Sequence, residues 1–254
     1  MKKIIMTVIA LAALFSFSCS KSNDVIKMGT NAAFPPFEYT LGTEVVGFDV
    51  TVSQLISRDY GKELKVVDMN FDGLIAALQS GSIDFIAAGM TATEERRKNV
   101  DFSEPYYQSK QTIIVKASDA SVVSVNDLKG KVVGVQAGTT GELFATEEIE
   151  GLNVKSFKTG IDAALALKNG AIEAIIIDEL PAQEIVRRNV ELKLVDDDFY
   201  TDEYAIAVKK GNTELLNSIN KTIEKIKADG TYQKLIDSYM PLDGDVKIVS
   251  IEDL

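Results

Sequence analysis

The chain has 254 residues, 27 of them basic and 38 acidic, so its formal charge is −11 and it offers little to the phosphate backbone of a nucleic acid. It has no histidine and a single cysteine, which removes the commonest zinc ligands, the commonest general base and any internal disulfide; no metal and no cofactor are expected. With 46% hydrophobic residues it can bury one large core or two modest ones, and two lobes are expected.

The first element is a leader. Met1-Lys2-Lys3 precedes an apolar run from Ile4 to Phe15 and then Ser16-Phe17-Ser18-Cys19, the charge, length and small-residue layout of a secretory signal over residues 1–19. The run is shorter than the roughly 20 apolar residues a membrane helix needs, and Ser20-Lys21-Ser22-Asn23-Asp24 follows it as a polar tether. Cys19 at the cleavage point is a candidate for lipid attachment, since the site resembles a bacterial lipobox, with Ser16 where Leu is usual; the alternative is an ordinary cleaved leader. Export is expected, and removing the two leader lysines takes the charge to −13.

Beyond residue 24, short β-branched runs alternate with helical patterns: Val25–Met28, Leu64–Val67, Phe85–Ala88, Val132–Val135 and Ala174–Ile177. That alternation predicts α/β layers. Val50 to Tyr60 and Ile161 to Asn169 are predicted crossover helices, the second carrying Ala164, Leu165 and Leu167 ahead of Gly170. One unit occurs twice, as Leu74 to Asp84 and as Ala163 to Glu173: a helix, a glycine turn and the start of a strand. Tyr106 to Lys116 and Tyr200 to Lys209 read as two hinge strands flanking the middle block. Asn212 to Ala228 is a helix with Leu215, Ile219, Ile223 and Ile226 on one face, which is core packing. Asp243 to Leu254 receives no function.

Functional chemistry concentrates at Gly89-Met90-Thr91-Ala92-Thr93-Glu94-Glu95-Arg96-Arg97, followed by Val100-Asp101-Phe102-Ser103-Glu104-Pro105-Tyr106-Tyr107. Small hydroxyl residues and backbone N–H groups after an apolar run, with a guanidinium a turn or two on, suit one carboxylate held from several sides. A charge run such as Glu94 to Lys98 would by itself be a solvated helix face. In its surroundings, the segment closely resembles the extracellular solute-binding proteins for polar amino acids, family 3, which deliver ligand to ABC importers; the likeness runs from about Val25 to Met240.

The resemblance implies a type II periplasmic binding protein, an α/β fold of two lobes with the ligand in the cleft. Lobe 1 would comprise residues 24–106 and 205–254, and lobe 2 residues 107–204. It implies that Arg96, rather than Arg97, grips the α-carboxylate, that Gly89 and Thr91 contact the ammonium or the carboxylate through backbone and hydroxyl, and that Met90 belongs to the ligand-binding set. Thr139 or Thr140, at the helix start after Gly134 to Gly138, would complete that site, where free N–H groups favour an anion. Gly-Lys-Ser/Thr is absent there, so phosphate is disfavoured. Asp178, at the carboxyl end of a predicted strand, would take the ammonium, against the local alternative of capping the helix from Pro181. Phe34 and Phe71 would form the aromatic walls, while Phe37 fits the core.

Asn31 and Gln136 would select the side chain, and two amides suit a neutral polar ligand such as glutamine; Asp72 or Asp162 could still approach a guanidinium, which keeps arginine open. The expected partners are a small amino acid, an ABC permease and, through Cys19, the membrane, for a chain that is itself a monomer. Two other readings stand beside this one. A dehydratase-like enzyme on the same fold would have to draw on carboxylates such as Glu38, or Asp178 with Asp72. A sensor module would serve a membrane receptor.

Overall fold

The computed structural model describes residues 25–197, 199–241 and 246–254. The expected leader and Cys19 lie outside the described residues.

In chain order the elements are β1 (Val25–Thr30), β2 (Ala33–Phe34), β3 (Glu38–Leu41), β4 (Glu44–Val46), α1 (Phe48–Tyr60), β5 (Glu63–Asp68), α2 (Leu74–Ser80), β6 (Phe85–Ile86), α3 (Glu94–Arg97) and β7 (Val100–Phe102). The middle block holds β8 (Tyr107–Lys116), β9 (Val132–Gln136), α4 (Thr140–Glu147), β10 (Asn153–Phe157), α5 (Gly160–Lys168), β11 (Ala174–Asp178), α6 (Glu179–Arg188), β12 (Leu192–Val195) and β13 (Thr201–Tyr204). β14 (Ala207–Lys209), α7 (Thr213–Ala228) and α8 (Thr231–Tyr239) follow.

These strands make two main sheets and hence two lobes. The first has the order β5-β1-β6-β14-β7, and the second β10-β9-β11-β8-β12 with β13 paired to β8; β2, β3 and β4 form a small antiparallel sheet. In each main sheet the strands joined by helices run parallel, β1 with β5 and β6 in the first, β9 with β10 and β11 in the second. The strands that connect the lobes enter antiparallel, β14 against β6 and β7, β8 against β11 and β12. Parallel pairing requires a crossover, and the helices between the strands provide it.

The repeated unit forms twice as the sequence suggests. α2 ends at Gly81 in the left-handed conformation and leads to β6; α5 leads through Gly170 to β11. In both, the isoleucine before the strand is buried, Ile83 and Ile172, and lies against a glycine of the neighbouring parallel strand. A Cβ on Gly29 would sit 2.2 Å from Ile83 Cδ1, and one on Gly134 2.5 Å from Ile172 Cδ1. The buried face of α5 is Ala163, Ala164 and Leu167, whereas Leu165 is 59% exposed. Leu165 follows Ala164 by one residue, about 100° around the helix, and so leaves the face that the i, i+4 pair of Ala163 and Leu167 defines.

α7 buries Leu215, Ile219, Ile223 and Ile226 as its spacing predicts, each contributing roughly 1.5–3 kcal/mol of transfer free energy. The final residues are a strap on the first lobe. Val246, Val249, Ile251 and Leu254 pack on its core; Lys247 N–H donates to the Ser238 carbonyl at 2.8 Å and Val249 N–H to the Tyr239 hydroxyl at 3.2 Å.

The chain passes from β7 of the first sheet to β8 of the second, and returns from β13 to β14. The stretch Tyr200 to Lys209 is two strands in different sheets: β13 pairs with the first half of β8, Tyr204 opposite Tyr107, and β14 belongs to the first lobe. Tyr106 N–H donates to the Tyr204 carbonyl at 2.9 Å, and Ser103 N–H to the Ile206 carbonyl at 2.9 Å, so the crossings are tied to each other. Phe37, fully buried, packs edge-on against Tyr107 at 5.0 Å and Tyr204 at 5.1 Å. Its place in the core is therefore the hinge itself.

Candidate functional site

The lobes meet over a small closed cavity of about 10 Å³, room for roughly one water molecule and well below the usual range for ligand pockets. From lobe 1 it is lined by Asn31, Phe34, Glu38, Phe71, Gly89, Thr91 and Arg96, and from lobe 2 by Gln136, Thr139, Thr140 and Asp178.

Arg96 reaches the cavity because α3 is a single turn. Thr93 caps it, accepting from Arg96 N–H at 3.2 Å, and two successive arginines on so short a helix point to different faces. Arg97 is exposed and pairs with Glu94 at 3.8 Å. Arg96 is buried; its guanidinium donates to the Thr91 carbonyl at 2.7 Å and, across the cleft, to the Gly138 carbonyl at 2.8 Å, with the Phe71 ring 5.4 Å away. A planar fork with donors on two edges suits a carboxylate.

Gly89 has φ +52°, and a Cβ there would fall 2.9 Å from the Phe34 ring, so the left-handed backbone and the aromatic wall both require glycine. Its N–H donates to Asp49 at 2.9 Å. Met90 is placed differently from the expectation. Its side chain is buried in the lobe 1 core and does not line the cavity, and its carbonyl accepts from Ala205 N–H at 3.0 Å.

On lobe 2, Asp178 ends β11 at the N-cap position of α6 yet makes no side-chain cap bond. Its carboxylate instead accepts from the Ser109 hydroxyl at 3.2 Å and from the Tyr204 hydroxyl, which turns it toward the cleft. The start of α4 is partly self-satisfied. Glu142 takes the Gly138 N–H at 2.7 Å, and Thr139 caps the helix by accepting from Glu142 N–H at 3.3 Å. Thr140, buried, is the helical residue that faces the cavity.

Asn31 and Gln136 face each other. Gln136 donates to the Asn31 side-chain oxygen at 2.8 Å and to the Lys158 carbonyl at 3.2 Å, and Asn31 donates to the Met69 carbonyl at 2.9 Å. With the Arg96–Gly138 bond, this closes the cleft from both ends. Asp72 and Asp162 are exposed and do not line the cavity; Asp162 accepts from the Thr159 hydroxyl at 2.8 Å at the start of α5. The carboxylate pair of Asp178 with Asp72 is not assembled inside it.

Four further residues enter the site that the sequence did not single out as binding residues. Ser109 and Tyr204 orient Asp178, as above. Asp49, fully buried on α1, accepts from Gly89 N–H and from the Tyr106 hydroxyl at 2.6 Å. Burial raises its carboxyl to about 6, against the opposing pull of those donors. Glu38 is fully buried on the cavity wall, and burial followed by the Asp49 charge beside it holds its carboxyl well above the usual range.

The pattern of the bacterial extracellular solute-binding proteins, family 3, matches residues 26–241. The chain belongs to this family. A probable histidine-binding protein of Campylobacter jejuni is 36% identical over 249 residues, covering 91% of this chain and 95% of that protein. ABC transporter arginine-binding protein 1 of Escherichia coli is 33% identical, covering 95% and 100%. The solved structure of an ancestral arginine-binding protein bound to glutamine is 42% identical with a TM-score of 0.83, covering 86% of this chain and 99% of that one. The fold of this family member is the type II, two-lobed α/β architecture of periplasmic amino-acid-binding proteins. Among its described residues no helix is long and apolar enough to cross a membrane.

Proposed function

We propose that this family member binds a polar L-amino acid outside the cytoplasmic membrane and delivers it to an ABC permease by closing its cleft. One observation carries the reading: Arg96 of lobe 1 and Asp178 of lobe 2 line the same buried cavity, between the Phe34 and Phe71 rings. A zwitterion placed there would set its carboxylate on the guanidinium and on the Thr91 and Thr140 side, and its ammonium on Asp178. Asp178, which lobe 2 brings to the cavity wall, would reach the ammonium only with the cleft closed, so ligand would favour the closed state by its differential affinity for it. Micromolar affinity corresponds to about 8 kcal/mol, and charge-assisted hydrogen bonds at roughly 1.5–3 kcal/mol each supply much of it.

The Asn31–Gln136 amide pair is where the side chain would end. It suits an amide or a guanidinium, and relatives named for arginine make arginine the first ligand to try, with glutamine second. The same proposal includes a role without turnover, export of the chain with cleavage ahead of Cys19, acylation of that cysteine, and a monomeric state. Membership of a binding-protein family supports the first of these.

The test is a melting-temperature screen of ligand-free protein lacking residues 1–18 against the twenty L-amino acids, followed by calorimetry and recovery of the ligand by mass spectrometry. A ligand bound only to the native state must raise the melting temperature. One or a few amino acids, recovered unchanged, are expected; no stabilisation by any of them would overturn the assignment.

A further inference from the structure

Glu38 is fully buried on the cavity wall, and neither of its carboxylate oxygens meets a hydrogen-bond partner in the structure. An uncompensated buried charge is expensive, so a carboxyl in that position demands a cation or a proton. The groups facing it are mostly acidic: Asp49 from α1, Asp178 from the end of β11, Asp68 from the end of β5, with the Tyr106 hydroxyl held by Asp49. Among the described residues on the cavity wall the cation is Arg96, which donates to the Thr91 and Gly138 carbonyls. Asp49 relieves Glu38 only if the two share a proton: its Oδ2 takes the Gly89 N–H and the Tyr106 hydroxyl, while its Oδ1, like both Glu38 oxygens, meets no donor.

We infer that Glu38 is a specificity-determining residue that makes cleft closure conditional on the ligand's α-ammonium: in the closed cavity Glu38 faces either that ammonium or a proton of its own. This rests on the amino-acid reading above and deepens it. An L-amino acid closes the cleft over an ionised Glu38. An analogue without the amino group closes it only with the carboxyl protonated, Glu38–COO⁻ having taken H⁺ from solvent. The two closed complexes differ by one bound proton, whatever the open form holds. Linkage then fixes the sign: preference for the amino acid over its deaminated analogue rises with pH, by up to about tenfold per unit.

The experiment measures affinity for L-arginine and 5-guanidinopentanoate, or for L-glutamine and glutaramate if glutamine is the ligand bound, by calorimetry between pH 5.5 and 8. Phosphate and Tris buffers, which differ in ionisation enthalpy, count the protons exchanged. In the wild-type chain the preference should climb with pH and the two proton counts should differ by one. Glu38→Gln should flatten the pH dependence and improve binding of the analogue. A wild-type preference that ignores pH, equal proton counts, or a slope that survives in Glu38→Gln would overturn the inference. The wild-type counts decide it even if the variant does not fold. If no amino acid binds at all, the ligand reading fails with it; if one binds and only the pH dependence is missing, the role of Glu38 alone falls.

Discussion

The two lobes repeat one construction and divide the chemistry unequally. Each sets a helix–glycine–isoleucine unit against a central parallel strand, Ile83 on Gly29 in one and Ile172 on Gly134 in the other. Yet lobe 1 brings the guanidinium, both phenyl walls and the buried carboxyl of Glu38 to the cleft, whereas lobe 2 brings Asp178, Gln136 and a helix start where Glu142 takes the Gly138 N–H and Thr139 the Glu142 N–H. The lesson is that scaffold and recognition are separable. A common packing unit holds both sheets, and the loops at the strand ends give one lobe the guanidinium, the rings and Glu38 on the cavity wall, the other Gln136, Thr140 and Asp178.

The sharpest way to break the scaffold half of that comparison is to hollow both units. Ile83→Ala and Ile172→Ala should each cost about 2–5 kcal/mol in chemical denaturation, with similar values if the units are equivalent; a large asymmetry would show that one sheet depends on it far more. The recognition half is tested next by Arg96→Ala, which should weaken amino-acid binding by about 10–150-fold in calorimetry with the melting temperature of the ligand-free protein little changed; near-wild-type affinity would unseat Arg96. Asp178→Asn should cost about tenfold for ligands with an α-ammonium and little for deaminated analogues, and equal loss for both would signal structural damage. The smallest effect belongs to Tyr204→Phe. Removing the hydroxyl that orients Asp178 should lower affinity a few-fold, and an unchanged value would leave Ser109 as the residue that matters for its orientation.

Much of this could be read along the chain, because its signals are local. β-Branched runs separated by helical spacing gave the layers, and Gly81 and Gly170 marked the turns of the repeated unit. Arg96 and Arg97 were separable by family likeness, and the one-turn length of α3 supplies the physical reason. What stayed hidden depends on distant partners. Asp49 reads as an ordinary acidic residue in the first turn of a helix, and only the fold brings it to Gly89, 40 positions away, and Tyr106, 57 away. Tyr204 reads as one apolar position in an alternating strand until β11 places Asp178 under its hydroxyl. Glu142 stands in the first turn of α4; that its carboxylate turns back onto the Gly138 N–H ahead of the helix is a loop conformation no spacing encodes. Leu165 sits one residue from a buried neighbour, where a helical wheel leaves the margin between inside and outside to the neighbouring elements.

The paired crossings carry a consequence for measurement. Because Tyr106 bonds to Tyr204 and β13 lies along the first half of β8, the two connections form a single ribbon rather than two independent tethers. A ribbon of that kind bends readily across its width and resists shear and twist, so the relative position of the lobes should reduce to one coordinate. Fluorophores at Leu41 on one lobe and Val190 on the other, side chains 54% and 90% exposed, would then report occupancy through a single distance, giving two populations exchanging in amplitude as ligand is added and no third. The hinge would make this chain a one-channel optical gauge of its own ligand.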